Sequence, residues 1–198
     1  MSREDRQKWD CRYEDGAYVT RCYPSTVLVE FLSALPRGDG ISRGRVLDVA
    51  CGAGRNAIHL AQSGFEVDAL DISPVALEKA KKKAAALGLS SINFINWDFD
   101  DGLPASSRYD AIIVVRYLNL DLFRLFHQRL NSEGKVLIET HLVCDNPSVG
   151  PKSRAFRVKH GELRDALCNL IVEYEYEGLV RDPDGRDACV SRILARKP

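Results

Sequence analysis

The sequence has no excess of either charge, no C-x-x-C pair, no long apolar run and no internal repeat. Each absence removes a class of protein. Lys plus Arg is 28 and Asp plus Glu is 28 among 198 residues, so the formal net charge is zero. Proteins that live on phosphate backbones carry a basic excess, so no nucleic-acid partner is expected. The six cysteines, Cys11, Cys22, Cys51, Cys144, Cys168 and Cys189, have no zinc or redox spacing. Three disulfides fit the count, but a chain of this length with a full core does not need them. No carboxylate–histidine cluster suggests a metal, and none is expected. The longest apolar run, Ala111 to Val115, is far short of a membrane span. The beginning, MSREDRQKWD, is charged where a signal peptide needs apolar residues. The expectation is a cytoplasmic protein with reduced thiols, no membrane partner, and a monomeric or homodimeric state.

What is present is an ordinary globular balance, 45% apolar and 28% charged, enough for one compact domain. Residues 1–24 disperse Trp9, Tyr13, Tyr18 and Tyr23 among charges, which favours burial of the aromatics over a disordered arm. Ser25 opens a helix with Val27, Leu28, Phe31, Leu32 and Leu35 on one face, stopped near Pro36. Residues 1–36 therefore read as an N-terminal lid and helix, and 37–198 as the main domain.

From Arg45 strands and helices alternate. RVLDVA is a strand, Arg55 to Ser63 a helix closed by Gly64, and FEVDAL a strand. Ser73 caps a helix with Pro74 at its first position, ended by Gly88. INFIN and YDAIIVV are strands, Leu120 to Leu130 is helical, and KVLIET is a fifth strand. LIVEYEYEG and ACVSRILARK then pair across a turn marked by Asp184-Gly185. Seven strands in this rhythm predict an α/β fold, a doubly wound sheet in three αβα layers with an antiparallel C-terminal hairpin.

VLDVACGAGRNA, residues 46–57, carries the chemistry. In a doubly wound sheet the ligand sits beyond the carboxyl ends of the strands where strand order reverses, after the first strand. Gly52 and Gly54 stand there, and glycine lets a backbone turn sharply and approach a ligand closely. Asp71 ends the second strand, where a carboxylate can accept both ribose hydroxyls of an adenosine. Asp48 lies four residues before Gly52. It would repel a pyrophosphate but attract an ammonium group. A ligand with an adenosine end and a cationic amino-acid end is S-adenosylmethionine. Asp98 is placed to accept from an adenine amino group, with Trp97 or Phe99 flanking the ring; a turn aspartate between core aromatics is the plainer alternative.

VLDVACGAGRNAIHLA, VDALDISPVALEKA, NWDFDD, YDAIIVVRYL and GKVLIETHL resemble the successive motifs of class I S-adenosylmethionine-dependent methyltransferases. The G-R-N after the glycine turn and the R-Y-L after the fourth strand resemble the tellurite-resistance-type branch, near the thiopurine methyltransferases. The resemblance covers about residues 9–197. It implies a seven-stranded Rossmann-like fold and methyl transfer to a small nucleophile, with thiols and chalcogen oxyanions as the soft or anionic acceptors. The candidate cofactor-binding set is Asp48, Ala50, Cys51, Gly52, Gly54, Asn56, Asp71, Ile72, Trp97, Asp98, Phe99, Arg116 and Tyr13.

For the acceptor, Arg116 and Tyr117 emerge at the end of the fourth strand, where a planar guanidinium suits an oxyanion or carboxylate. An ion pair with Asp98 or another acid at the rim is the alternative. His141 follows the fifth strand, as a base, a hydrogen-bond donor or a structural residue. Arg154 and His160 lie in CDNPSVGPKSRAFRVKHG, a loop placed to close over substrate. The candidate catalytic residues are thus Arg116, Tyr117, His141 and Arg154. Tyr13, with Arg12 and Tyr18, belongs to a lid or to an edge packing. Cys51 reads as a small apolar filler. Three other functions compete. A nicotinamide-dependent oxidoreductase is disfavoured by Asp48. Amino-directed nucleic-acid methylation is disfavoured because R-Y-L-N stands where N/D-P-P-Y/F is needed. A catalytically silent S-adenosylmethionine-binding module stays open.

Overall fold

The computed structural model describes residues 3–36, 44–104, 107–144 and 149–198. Among these residues eight strands form one sheet: β1 Arg45–Val49, β2 Glu66–Asp71, β3 Ile92–Asn96, β4 Tyr109–Val115, β5 Leu130–Leu142, β6 Arg157–Val158, β7 Ile171–Arg181 and β8 Asp187–Arg196. Their order is β3-β2-β1-β4-β5-β8-β7, with β6 pairing β5. The first five main strands are parallel, and β8 and β7 run antiparallel. This is the Rossmann-like sheet with an antiparallel end, and strand order reverses between β1 and β4.

Alternate residues of the central strands feed two cores. Leu47, Ile112, Val114, Val136 and Ile138 pack with Phe123, Phe126 and Leu163. Val46, Val67, Ala111, Ile113 and Leu137 pack with Val27, Leu28, Leu60 and Leu77. The first face is covered by α5 Leu120–Arg124 and α6 Glu162–Ala166; the second by α2 Thr26–Phe31, α3 Arg55–Gln62 and α4 Pro74–Ala86. Both faces of β1, β2 and β4 are thus largely dry, which is why they read as near-continuous apolar runs, whereas the edge strand β3 is part-exposed. Among the described residues no helix is long and apolar enough to cross a membrane.

Several elements differ from the sequence reading. The N-terminal arm contains a helix, α1 Arg3–Glu14, and β6 makes eight strands rather than seven. The helix expected over Leu120 to Leu130 ends at Arg124, continues as a 3-10 turn over Phe126–Gln128, and gives way to β5 at Leu130. A 3-10 turn satisfies terminal carbonyls where the chain must tighten. The helix expected from Ser25 to Pro36 likewise changes to a 3-10 turn at Leu32–Ala34. Ser25 does not cap it by a side-chain hydrogen bond. Instead its backbone N–H and its hydroxyl both donate to Asn56 Oδ1, at 2.9 and 3.0 Å.

Candidate active site

The carboxyl ends of β1, β2 and β4 meet at one edge. Two non-glycine residues there, Ala50 (φ 56°) and Arg116 (φ 63°), hold a left-handed backbone. That conformation disfavours residues with a Cβ and persists where surrounding structure imposes it. Gly52 (φ 56°) and Gly54 (φ 78°) continue the turn. A Cβ on Gly54 would lie 2.8 Å from Ala80 Cβ, so this glycine also lets α3 approach α4.

Asp71 fastens the turn to β2. Its Oδ2 accepts from Gly52 N at 2.7 Å and its Oδ1 from Ser73 N at 2.9 Å. Each carboxylate oxygen keeps a further lone pair, so both amide bonds leave capacity for a ligand. Burial pushes the Asp71 carboxyl up, opposed by those amides. Asp48 is more isolated: it is buried, and its Oδ2 has no hydrogen-bond partner among the described residues. Burial pushes its carboxyl up to about 7, with Arg55 opposing and Asp71 adding to the rise.

The other candidates frame this centre. Ile72 is buried beside it, and Asn96, which the sequence reading overlooked, donates to the Asp71 and Ile72 carbonyls. Asp98 Oδ1 accepts from Asp100 N at 3.0 Å, opening the turn that carries buried Phe99. Phe99 lies 5.6 Å from Tyr117, whose hydroxyl is pushed up to about 12 by burial. Trp97 packs against the first core and donates to the Gly102 carbonyl. Cys51 packs in the second core, and burial pushes its thiol far above the ordinary range. Asn56 faces Ser25 and tethers the N-terminal segment to α3.

Helix α1 closes over the turn. Tyr13 is buried, and a Cβ on Gly52 would collide with its hydroxyl. Burial first, then Asp71, raises that hydroxyl above the phenolic range. Lys79 Nζ donates to the Tyr13 carbonyl, and Ser73 Oγ donates to Asp10 Oδ1 at 2.5 Å. Lys8 stands 5.3 Å from the Phe156 ring, joining α1 to the segment after β5.

Beside this centre lies a charge cluster. Arg116 Nε donates to Glu139 Oε1 at 2.7 Å and Nη2 to Asp182 Oδ1 at 3.1 Å. Glu139 Oε2 accepts from Arg192 Nε at 2.7 Å. Arg116 thus pairs with Glu139 and Asp182 rather than with Asp98. His141 Nδ1 is 3.4 Å from Arg116 Nη1; a guanidinium has no lone pair, so the imidazole accepts. Burial, then Arg116, depresses His141 to about 3, so it is neutral at neutral pH.

Arg55 and Arg21 complete the cluster, and the sequence reading singled out neither as a site residue. Arg55, at the start of α3, is lowered by burial and by the fields of Arg21 and Arg116, against Asp182 and Glu139. Arg21 Nε stands 3.4 Å from Asp184 Oδ2. Arg154 is exposed, and no hydrogen bond or ion pair joins it to the cluster among the described residues. Arg157 stands nearer: it donates to the Pro151 carbonyl and its field reaches His141. Part of the expected closing loop, residues 145–148, lies outside the described residues.

Residues 46–134 match the family described as "Methyltransferase domain". Over 120 residues the chain is 31% identical to YqeM of Bacillus subtilis, across 56% of this chain and 48% of that protein. TehB from Haemophilus influenzae superposes with a TM-score of 0.69 at 20% identity, covering 86% of this chain and 62% of that one. The magnesium protoporphyrin IX methyltransferase of Synechocystis PCC 6803, with SAH bound, gives 0.67 at 20% identity, covering 87% and 82%. The chain spans about half the length of the curated relatives it matches. The matched segment is similar to a methyltransferase domain, and the sheet shares its fold with these solved structures. Asp48, the glycine turn, Asp71, Asp98 and Arg116 all lie within the matched segment.

Proposed function

We propose that the chain transfers the methyl group of S-adenosylmethionine to a small anionic or soft nucleophile, a thiol or a chalcogen oxyanion. The observation that carries the reading is a buried, partnerless carboxylate oxygen on Asp48 near an arginine cluster at the same sheet edge. A buried carboxylate that keeps one oxygen unpaired, despite the Ala57 amide on the group, is costly and is relieved by a cation, here the methionine ammonium. Asp71 would take the ribose, and Ile72, Trp97, Asp98 and Phe99 would frame the adenine. The backbone of Ala50 to Gly54 would face the cofactor, with Tyr13, whose hydroxyl lies against Gly52, as its cover.

The bound cofactor supplies an electrophilic methyl on a sulfonium, so the protein's main task is alignment. Arg116, with Arg21 and Arg55 around it, would hold an anionic acceptor. Such an acceptor is already a nucleophile and needs no general base. His141, neutral and weakly basic, would serve as a hydrogen-bonding partner, with Tyr117 walling the pocket. Solvent exposure of Arg154 gives it the weakest claim of the four acceptor-side candidates.

Thermal unfolding in parallel with S-adenosylmethionine, S-adenosylhomocysteine, NAD and NADP tests the cofactor. A ligand at a hundred times its Kd adds about 2.7 kcal/mol, roughly 5–10 °C for a domain of this size. Stabilisation by the two adenosyl-sulfur ligands alone is expected; stabilisation by a nicotinamide cofactor, or by none, overturns the reading. For the acceptor, Arg116→Ala is expected to lower kcat/KM for an anionic acceptor by about 10- to 100-fold, the range of a lost charged hydrogen bond. S-adenosylhomocysteine affinity should stay the same, and equal losses in both would assign Arg116 to cofactor positioning.

A further inference from the structure

The Arg116 guanidinium has two carboxylate partners of different character. Glu139 is on β5, deep in the sheet, and its second oxygen is taken by Arg192. Displacing it would break its bonds to Arg116 and to the buried Arg192 together. Asp182 belongs to the turn joining β7 and β8, a turn held by Asp182 N–H to the Arg186 carbonyl and Gly185 N–H to the Asp182 carbonyl, both 2.8 Å. Because β8 runs antiparallel beside β5, this turn reaches the same edge as the carboxyl ends of the parallel strands. The Asp182 side chain is 16% exposed, and its bond to Arg116 is longer, 3.1 Å against 2.7 Å. Asp184, the next acid in the turn, is already paired with Arg186 and Arg21.

We infer that Asp182 is a built-in competitor for the acceptor: it holds the outward edge of Arg116 until an anionic group displaces it, and so sets acceptor affinity and selectivity. This rests on the reading of Arg116 as the acceptor-binding group. The exchange is carboxylate for anion, so Arg116 stays paired throughout and no buried cation is left bare. A neutral acceptor offers no matching charge and is excluded by the same competition, a specificity gained against the wrong ligand. The device also accounts for the hairpin turn placing an acid among cations at this sheet edge, where three arginines alone would repel one another.

The test uses Asp182→Asn, with Asp182→Ser as a second variant should the first not melt cooperatively. Each protein, saturated with S-adenosylhomocysteine, is titrated calorimetrically with benzoate, with selenite as a second anion, and with benzamide as the neutral isostere. Both variants are expected to bind the anions about threefold to tenfold more tightly, the scale of a part-exposed ion pair. Benzamide and S-adenosylhomocysteine affinities should be unchanged. Anion affinity equal to or weaker than that of the unaltered protein overturns the competitor role and leaves the anionic site standing. Absence of anion binding in every protein, with S-adenosylhomocysteine bound normally, overturns both the competitor and the anionic acceptor. Failure to bind S-adenosylhomocysteine in the unaltered protein removes the methyl-transfer reading and the inference with it.

Discussion

Asp48→Asn should weaken S-adenosylhomocysteine binding by about 10- to 100-fold and, in the same protein, raise the melting temperature without ligand. The two effects have one cause. Asp48 is fully buried at the end of β1, its Oδ2 has no partner, and burial lifts its carboxyl from 3.8 to about 7. At neutral pH the fold therefore holds this group only partly ionised, at a penalty of up to about 4 kcal/mol relative to the unfolded chain, three pKa units at 1.36 kcal/mol each. An amide of the same shape has no charge to desolvate. It still buries a polar group, so the net gain is expected at about 1–2 kcal/mol, or 2–8 °C. Calorimetric titration and a melting curve on one preparation read both effects. A lower melting temperature with unchanged affinity would make Asp48 a purely structural residue.

The sign of the pH dependence follows from the same group. An acid whose folded pKa lies above its unfolded value destabilises the fold increasingly as pH rises from about 4 to about 7, then uniformly above. The ligand-free protein should lose that increment over the window, and Asp48→Asn should not. A cationic cofactor binds the carboxylate form, so binding below pH 7 releases a proton. Affinity should fall by at most tenfold per unit as pH drops from 7 to 5. His141, depressed to about 3, stays neutral across the window and does not contribute.

Local spacing made the proposed cofactor side legible. Asp48, Gly52, Gly54 and Asp71 follow from two strands and the turn between them, within 24 residues of chain. The central strands were equally legible, because both faces are dry and their residues are uniformly apolar. The proposed acceptor side was not, because its contacts are between distant residues. Arg116 meets Glu139 from 23 positions away and Asp182 from 66. No periodicity announces such pairs, and RDPDGRD reads as a turn with no hint that its acids face arginines. Helix α1 escaped notice for a related reason: it has no apolar stripe, and it is held by tertiary contacts, Asp10 to Ser73 and Lys79 to the Tyr13 carbonyl. Arg55 carried a usable signal, since the residue after Gly54 opens a helix at the ligand edge. Ser25 looked like a helix cap, and Asn56 competed for its hydroxyl.

Glu139→Gln is expected to be the most damaging single substitution in stability. The carboxylate, 2% exposed, sits between Arg116 and Arg192, and Arg192 reaches on to Glu30 at 3.1 Å. Burial alone would raise the Glu139 carboxyl, but the two guanidinium groups outweigh it and hold it below its ordinary value. Neutralising it leaves Arg116 and Arg192 facing each other with only their more exposed partners, Asp182 and Glu30, to balance them. Losing one member of such an arrangement costs about 3–5 kcal/mol, or roughly 6–20 °C here. Because the folded pKa is depressed, Glu139 contributes stability that is present above its unfolded pKa and lost as pH falls through the folded one. The gap between the two proteins should therefore be full at pH 7 and narrow in acid below about 4.5. A melting temperature within 2 °C of the unaltered protein at pH 7 would show that the chain of charges is decorative. The double variant Glu139→Gln with Arg192→Met separates the causes. If the damage is unpaired charge, removing Arg192 recovers stability and the two effects fail to add. If it is lost packing, the second change deepens the loss. Recovery with Arg116 still in place would assign the penalty to the unbalanced Arg192 charge.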